Sequence, residues 1–407
     1  MRNNKITFIY SVEITLFVVF IFMQNFAVIR TESFGISALF LFLLFISIKN
    51  RIFISRIFVP TMILLFFNIF VFFSSLLNNY FNIIRILRWN MLIIVAYFTY
   101  RYVQSIIDKG YYNDLVNKFF KVGFCVNVYG IYEFFAPKYN LPLFLNIFNN
   151  NPSFGKPKGI YSYYGGWVDL PRIYTLFFEP SVYSTFLVLL LMFLILDKDI
   201  RNKKVYFCFA FINLILTFAR TGWGIFIYCI GVYIIFKILK KLGLSEALYS
   251  FISVFVLMIP FFNLLLMYIA NIYIFNDLSS LGRTNSAVYY LAKTFDNAKT
   301  FLFGHGLGHI SFSWTKDLWY EKGVEGFAHN GYIEFLYELG VILFLVTLSY
   351  IFICVKRIKN YRNRTILLGI IGSVSSFSST YQIESILALI IVIFCYSIHH
   401  EKIQYKN

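Results

Sequence analysis

His329 lies in AHNGYIEF, immediately ahead of a long apolar run. A neutral imidazole takes up a proton near neutral pH, which suits it to activating a hydroxyl as a general base. A structural histidine at a helix junction is the plainer reading. Asn330 stands where it would cap the following helix, and Glu334 falls one to two turns inside that helix. Three arginines complete a second kind of chemistry: Arg172 in PRIYTLFFEPS, Arg220 in LTFARTGWG and Arg283 in SLGRTN. A planar guanidinium makes paired contacts with phosphate oxygens, and fixed cations stabilise the charge that gathers on a departing diphosphate. Each arginine also has an ordinary alternative: an ion pair for Arg172, snorkelling to head groups for Arg220, and a solvated position for Arg283. Glu179 follows Arg172 by seven residues, so a helical segment would put both near one face. The next residue, Pro180, either kinks such a helix or starts a new one.

Further candidates are less specific. Tyr163, Tyr164 and Trp167 could stack on a sugar or act as interfacial belt residues. Gly304 and Gly306, in GHGLG, permit a close turn that could aim backbone donors at phosphate. No strand–turn–helix unit surrounds these glycines, which argues against a dinucleotide motif. His305 and His309 lack a compact third and fourth ligand, so the loop reads as structural with a substrate contact rather than as a metal site.

The elements that must position these groups are membrane helices. Of 407 residues, 59% are hydrophobic and 14% charged, a balance that one aqueous core cannot hide. The pattern predicts an all-α, polytopic transmembrane helical bundle with twelve spans near 6–27, 34–48, 58–77, 83–100, 119–136, 174–196, 205–218, 222–238, 246–270, 330–353, 365–378 and 383–398. The spans at 34–48, 205–218 and 365–378 are short for a full crossing. Residues 1–407 read as a single integral-membrane domain interrupted by two large polar loops, 137–173 and 271–329. Prolines and glycines argue against a continuous helix in the first loop. The second holds a helix-like stretch from about Ser286 to Lys299, with Val288, Leu291, Ala292 and Phe295 on one face, as expected of an amphipathic element beside a membrane.

Charge supports the topology independently. Basic clusters around Lys49–Arg56, Arg101–Lys121, Lys198–Lys204, Lys237–Lys241 and Lys356–Arg364 all fall on the same side as both termini when twelve spans are drawn. Basic short loops favour the cytoplasm, so both termini are expected there and both large loops outside. The formal charge of +17 is then a topology signal aided by anionic lipid, and no reading helix or single-strand platform accompanies it to suggest nucleic acid. The five cysteines lack pairing or metal spacing and read as apolar packing. The first apolar run, with no small-residue cleavage signal, reads as a retained anchor.

The segments PRIYTLFFEPSVYS, LTFARTGWG, GRTNSAVYYLAKTF, LFGHGLG and AHNGYIEFLYELGVI, in this order, resemble the bacterial O-antigen or capsular polysaccharide polymerases. That family is similar in turn to the O-antigen ligases. The resemblance implies a GT-C-like membrane architecture and a glycosyltransferase that needs neither metal nor cofactor, in the bacterial inner membrane with its site facing the periplasm or exterior. It implies transfer of glycan from an undecaprenyl-pyrophosphate-linked oligosaccharide to the sugar hydroxyl of another lipid-linked repeat unit. His329 would activate that hydroxyl, Arg220 and Arg283 would stabilise the diphosphate, and Arg172 and Glu179 would organise the same pocket. Tyr163, Tyr164, Trp167, Gly304, Gly306, Asn330 and Glu334 are the further substrate-binding candidates. Expected partners are lipid-linked donor and acceptor, membrane lipids and a polysaccharide chain-length regulator, with no nucleic acid. A ligase that transfers glycan to lipid-A core, a transporter of lipid-linked oligosaccharide and a noncatalytic envelope-assembly scaffold remain the alternatives.

Overall fold

In the computed structural model, residues 2–30, 35–50, 58–148, 150, 161–164, 169–197, 200–257, 278–377 and 383–404 are described. The apolar runs form helices: α1 (Arg2–Phe22), α2 (Ala38–Lys49), α3 (Phe58–Asn78), α4 (Ile83–Asp108), α5 (Tyr112–Phe135), α6 (Pro180–Leu196), α7 (Lys203–Leu216) and α8 (Arg220–Lys241). After α9 (Glu246–Leu257) come α10 (Leu278–Thr294), α11 (Ala298–Phe303), α12 (His309–Ser313) and α13 (Lys316–Lys322). The chain closes with α14 (Gly331–Lys356), α15 (Tyr361–Phe377) and α16 (Glu384–Gln404). Among the described residues, strands occur only as two antiparallel hairpins, Ala27–Arg30 with Gly35–Ser37 and Tyr161–Tyr164 with Asp169–Arg172. The fold is all-α.

Four of the described helices are long and apolar enough to cross a membrane: Pro60–Asn78, Ile83–Asp108, Arg220–Lys241 and Gly331–Lys356. The expected short members stay short, α2 having 12 residues and α7 14. At about 1.5 Å per residue each is shorter than a bilayer core of about 30 Å. α15 ends at Phe377 and α16 begins at Glu384, and residues 378–382 lie outside the described set.

The chain divides into two compact units, each assembled from segments distant in sequence. The first holds 1–57, 91–227 and 382–407, and its centre is α6. All but a few α6 residues are buried, as a helix apolar on every side requires. Its one large polar ring, Tyr183, donates its hydroxyl to Asn127 Oδ1 at 2.9 Å, and Asn213 Nδ2 donates to the Asn127 carbonyl at 2.9 Å. Gly130 makes room for Asn213, since a Cβ there would stand 2.0 Å from Asn213 Oδ1.

The second unit comprises 58–90 and 228–381. Here the second polar excursion packs on the start of α14 and on the α3–α4 connection. Ser74 donates to the Phe303 carbonyl at 2.7 Å, Asn78 to the Gly304 carbonyl at 2.8 Å, and Tyr80 to the Gly308 carbonyl at 3.0 Å. α14 breaks at Gly340, whose φ of 72° lets the backbone pass Leu302 so closely that a Cβ would stand 2.3 Å from its carbonyl oxygen.

The amphipathic stretch differs from its sequence reading. α10 begins earlier and ends at Thr294, and Asn297 caps a separate α11 by accepting the Thr300 N–H at 2.9 Å. Its packed face is Ala287 and Tyr290, set against Ile310, Val324, Ala328, Ile333 and Tyr337. Val288, Ala292 and Phe295 are exposed. Leu291 packs partly against this cluster, and Tyr290 and Ser286 bond the main chain of the following loop, so the Val288, Ala292 and Phe295 side is turned away from the loop.

Candidate functional site

In the first unit, Arg172 is the last residue of its strand and pairs in register with Tyr161. Its Nε donates to the Thr217 carbonyl at 3.0 Å, three residues ahead of Arg220. The helical reading of the segment between Arg172 and Glu179 is corrected: the chain there is a bend, with Thr175 in the left-handed region at φ 51°. The buried Glu133 carboxylate holds it by accepting the N–H groups of Tyr174 at 3.3 Å and Thr175 at 2.7 Å. Pro171 and this acceptor favour the bend over a helix, so the two charges do not share a helix face. Glu179 instead precedes α6, with Pro180 at the first helical position and the Ser181 hydroxyl donating to the Glu179 carboxylate. Tyr163 and Tyr164 lie on the strand opposite Leu170 and Asp169, while Trp167 is outside the described residues.

Arg220 is exposed and opens α8. Gly222 fixes how this helix starts, because a Cβ would stand 2.5 Å from Ser184 Cβ on α6. A cation at a helix N-terminus opposes the helix dipole, so an anion bound there would relieve both charges.

In the second unit, His329 lies just before α14 with φ 52°, a conformation uncommon outside glycine. Asn330 caps α14 by accepting the Ile333 N–H at 3.1 Å, and Glu334 is buried in the first turn. His329 Nε2 bonds the Glu325 carboxylate, a partner that sequence reading missed. Both side chains keep about a quarter of their surface open, 27% for His329 and 28% for Glu325. The bond from His329 holds the Glu325 carboxyl below the ordinary carboxylate range against partial burial, with help from the charge of Arg283 on α10. No helix links Glu325 to His329, so their spacing of four residues carried no signal. Only the loop's path brings them together.

The GHGLG loop spends its backbone donors on α14. His305 N–H donates to the Tyr337 carbonyl at 2.8 Å, Gly306 N–H to the Glu338 carbonyl at 3.0 Å, and the N–H groups of Gly308 and Ile310 to the Glu338 carboxylate. Gly304 is needed for this approach, as a Cβ would stand 2.4 Å from the Glu338 carbonyl. The histidines are equally engaged. The His305 ring stacks on Tyr337 at 4.1 Å, and His309 Nδ1 lies 2.9 Å from the Tyr337 hydroxyl. Among the described residues no group of three or more histidines, cysteines or carboxylates could hold a metal.

Burial lowers His305 from 6.5 to about 4 and lowers His309 as well, so both are neutral at neutral pH. As pH falls the unfolded chain takes up these protons first. Their contribution to stability is therefore complete above pH 6.5 and is lost as pH falls toward about 4. The melting midpoint in detergent is expected to drop across that window. His305→Gln should reduce the slope without removing it, since His309 acts in the same direction; an unchanged slope would show that His305 is not buried neutral.

Residues 205–348 match the family described as O-antigen ligase. This segment is similar to the O-antigen ligases. No curated protein and no solved structure matches the chain. The matched segment contains Arg220, Arg283, Gly304, Gly306, His329, Asn330 and Glu334, and ends before the C-terminal part of α14. Arg172, Glu179 and the tyrosines of the hairpin precede it. The match supports a membrane protein of lipopolysaccharide or polysaccharide assembly, and the family implies glycosyl transfer.

Proposed function

We propose that this chain polymerises undecaprenyl-pyrophosphate-linked oligosaccharide repeat units into a surface polysaccharide by glycosyl transfer. The observation that carries the reading is the His329–Glu325 pair at the head of α14, inside the segment related to O-antigen ligases. His329 accepts the proton of the attacking sugar hydroxyl. Arginine offsets the charge of the diphosphate, with Arg220 and Arg283 as the candidates, so the electron pair of the breaking glycosyl bond leaves on a group whose charge is already offset. Arg172 and Glu179 shape the approach to Arg220. Tyr163, Tyr164 and Trp167 contact the glycan, while Gly304, Gly306, Asn330 and Glu334 set the pocket behind the base. No metal or cofactor enters the scheme.

The basic connections support a placement in the inner membrane with cytoplasmic termini and an outward-facing site. The prenyl chain then stays among the helices while the glycan occupies the aqueous side. A polysaccharide chain-length regulator is the expected protein partner.

Ligation is the second reading, favoured by the description of the matched family itself. Both reactions share a donor and differ in acceptor. Purified protein given chemically defined lipid-linked repeats, with and without core glycolipid, separates them by mass spectrometry of the products. Concatenated glycan on the carrier is the expected result; transfer only to core glycolipid would replace polymerase with ligase, and movement across liposomes without extension would indicate a transporter.

A further inference from the structure

The main chain around Glu325 is held more firmly than a surface loop requires. Its N–H donates to Ser286 Oγ at 2.6 Å, and its carbonyl accepts the Tyr290 hydroxyl at 3.0 Å. One residue earlier, the Val324 carbonyl accepts Trp314 Nε1 at 2.8 Å. Ser286 and Tyr290 are one turn apart on α10, and Ser286 is itself tied to the Gly282 carbonyl at 2.6 Å. On the other side of the pair, the Asn330 cap and the left-handed turn fix where His329 leaves the chain. Both ends of the carboxylate–imidazole bond therefore rest on rigid main chain, while both side chains stay partly open.

We propose that Glu325 is a positioning residue that holds His329 as the Nε2–H tautomer and so makes Nδ1 the nitrogen that faces the acceptor hydroxyl. The inference rests on His329 being the base. An ionised carboxylate only accepts hydrogen bonds, so the proton in the bond belongs to Nε2 and the lone pair is left on Nδ1. In the transfer step the acceptor O–H bond breaks and its proton moves to Nδ1. The oxygen forms the new bond to the anomeric carbon, and the electron pair of the old carbon–oxygen bond departs with the diphosphate. The imidazolium so formed bears its charge beside Glu325, which stays ionised, and later releases the Nδ1 proton to water. The lowered pKa of Glu325, held down chiefly by its bond to His329, is consistent with this, because the carboxylate remains ionised well below neutral pH. Arg283 on α10 adds to that tendency and cannot itself take the proton.

The test reads the tautomer directly. The sequence contains five histidines, so protein labelled with 15N-histidine and reconstituted in lipid gives a tractable 15N spectrum. The His329 signals are those lost in His329→Gln. At neutral pH the wild type is expected to show His329 with Nε2 protonated and Nδ1 bare. Glu325→Gln, whose amide can donate to Nε2, is expected to shift the population toward the Nδ1–H form and to lower glycosyl transfer by roughly 10²-fold or more at equal melting temperature. A wild-type His329 found as the Nδ1–H tautomer, or doubly protonated, would overturn the proposal without any variant. An unmoved tautomer in Glu325→Gln would overturn it as well. A shifted tautomer with wild-type transfer would leave Glu325 holding the ring and remove the base assignment from His329, which distinguishes failure of the function from failure of the inference.

Discussion

His329→Ala is expected to lower donor consumption and polymer formation by roughly 10²- to 10⁴-fold, the range over which a positioned general base acts. The effect should fall on turnover, because the imidazole exchanges a proton only as the sugar oxygen attacks. Two features make the comparison clean. The side chain is partly open, so truncation leaves no sealed cavity. The backbone at φ 52° is unfavourable for alanine by about 1 kcal/mol, and this is controlled by His329→Asn, since asparagine tolerates the left-handed region. Both variants should be inactive at matched membrane abundance, and the asparagine form should melt near the wild type. Wild-type product length from either variant would remove the proposed chemistry from this residue.

Arg220→Ala is expected to reduce transfer by roughly 10²- to 10³-fold, as loss of one charge-stabilising donor does elsewhere. The accompanying stability change separates a substrate role from a structural one. Arg220 is exposed and sits at the N-terminus of α8, where a positive charge opposes the helix dipole. Its removal should therefore leave the melting midpoint within about 2 °C of wild type, given that about 1 kcal/mol corresponds to a few degrees in a chain of this size. Arg220→Lys should recover the charge without the planar fork and give intermediate activity. If Arg220→Ala instead melts early and retains transfer per folded molecule, the residue is a structural anchor.

Much of this molecule was legible in the sequence because its signals are local and cumulative. A run of some twenty apolar residues has few alternatives in water or lipid, and nearly every expected span is helical over its described residues. Asn330 as a cap depends on neighbours within four residues and was readable for that reason, whereas Pro180 left a kink and a helix start open and the structure shows the start.

What failed was any inference that treated a spacing as a helix without asking where the backbone donors go. Arg172 and Glu179 are seven residues apart, yet Glu133, on a helix some forty residues earlier, captures the intervening N–H groups and bends the chain. The packed side of α10 is set by Ser286 and Tyr290, which orient the helix through polar bonds to a loop beyond it that no apolar periodicity records. The amides of the GHGLG turn look available for phosphate in the sequence, and several are taken by Tyr337 and Glu338 near the start of α14.

The solvent this protein lives in, the type of its helices and the short list of ionisable groups outside the apolar runs are all legible in consecutive residues, since transfer free energy and turn chemistry are local. That Glu325 faces His329 emerges from folding alone, because a carboxylate and an imidazole joined by an irregular loop meet through contacts contributed by α10 and Trp314, and no periodicity records where such a loop is tied down.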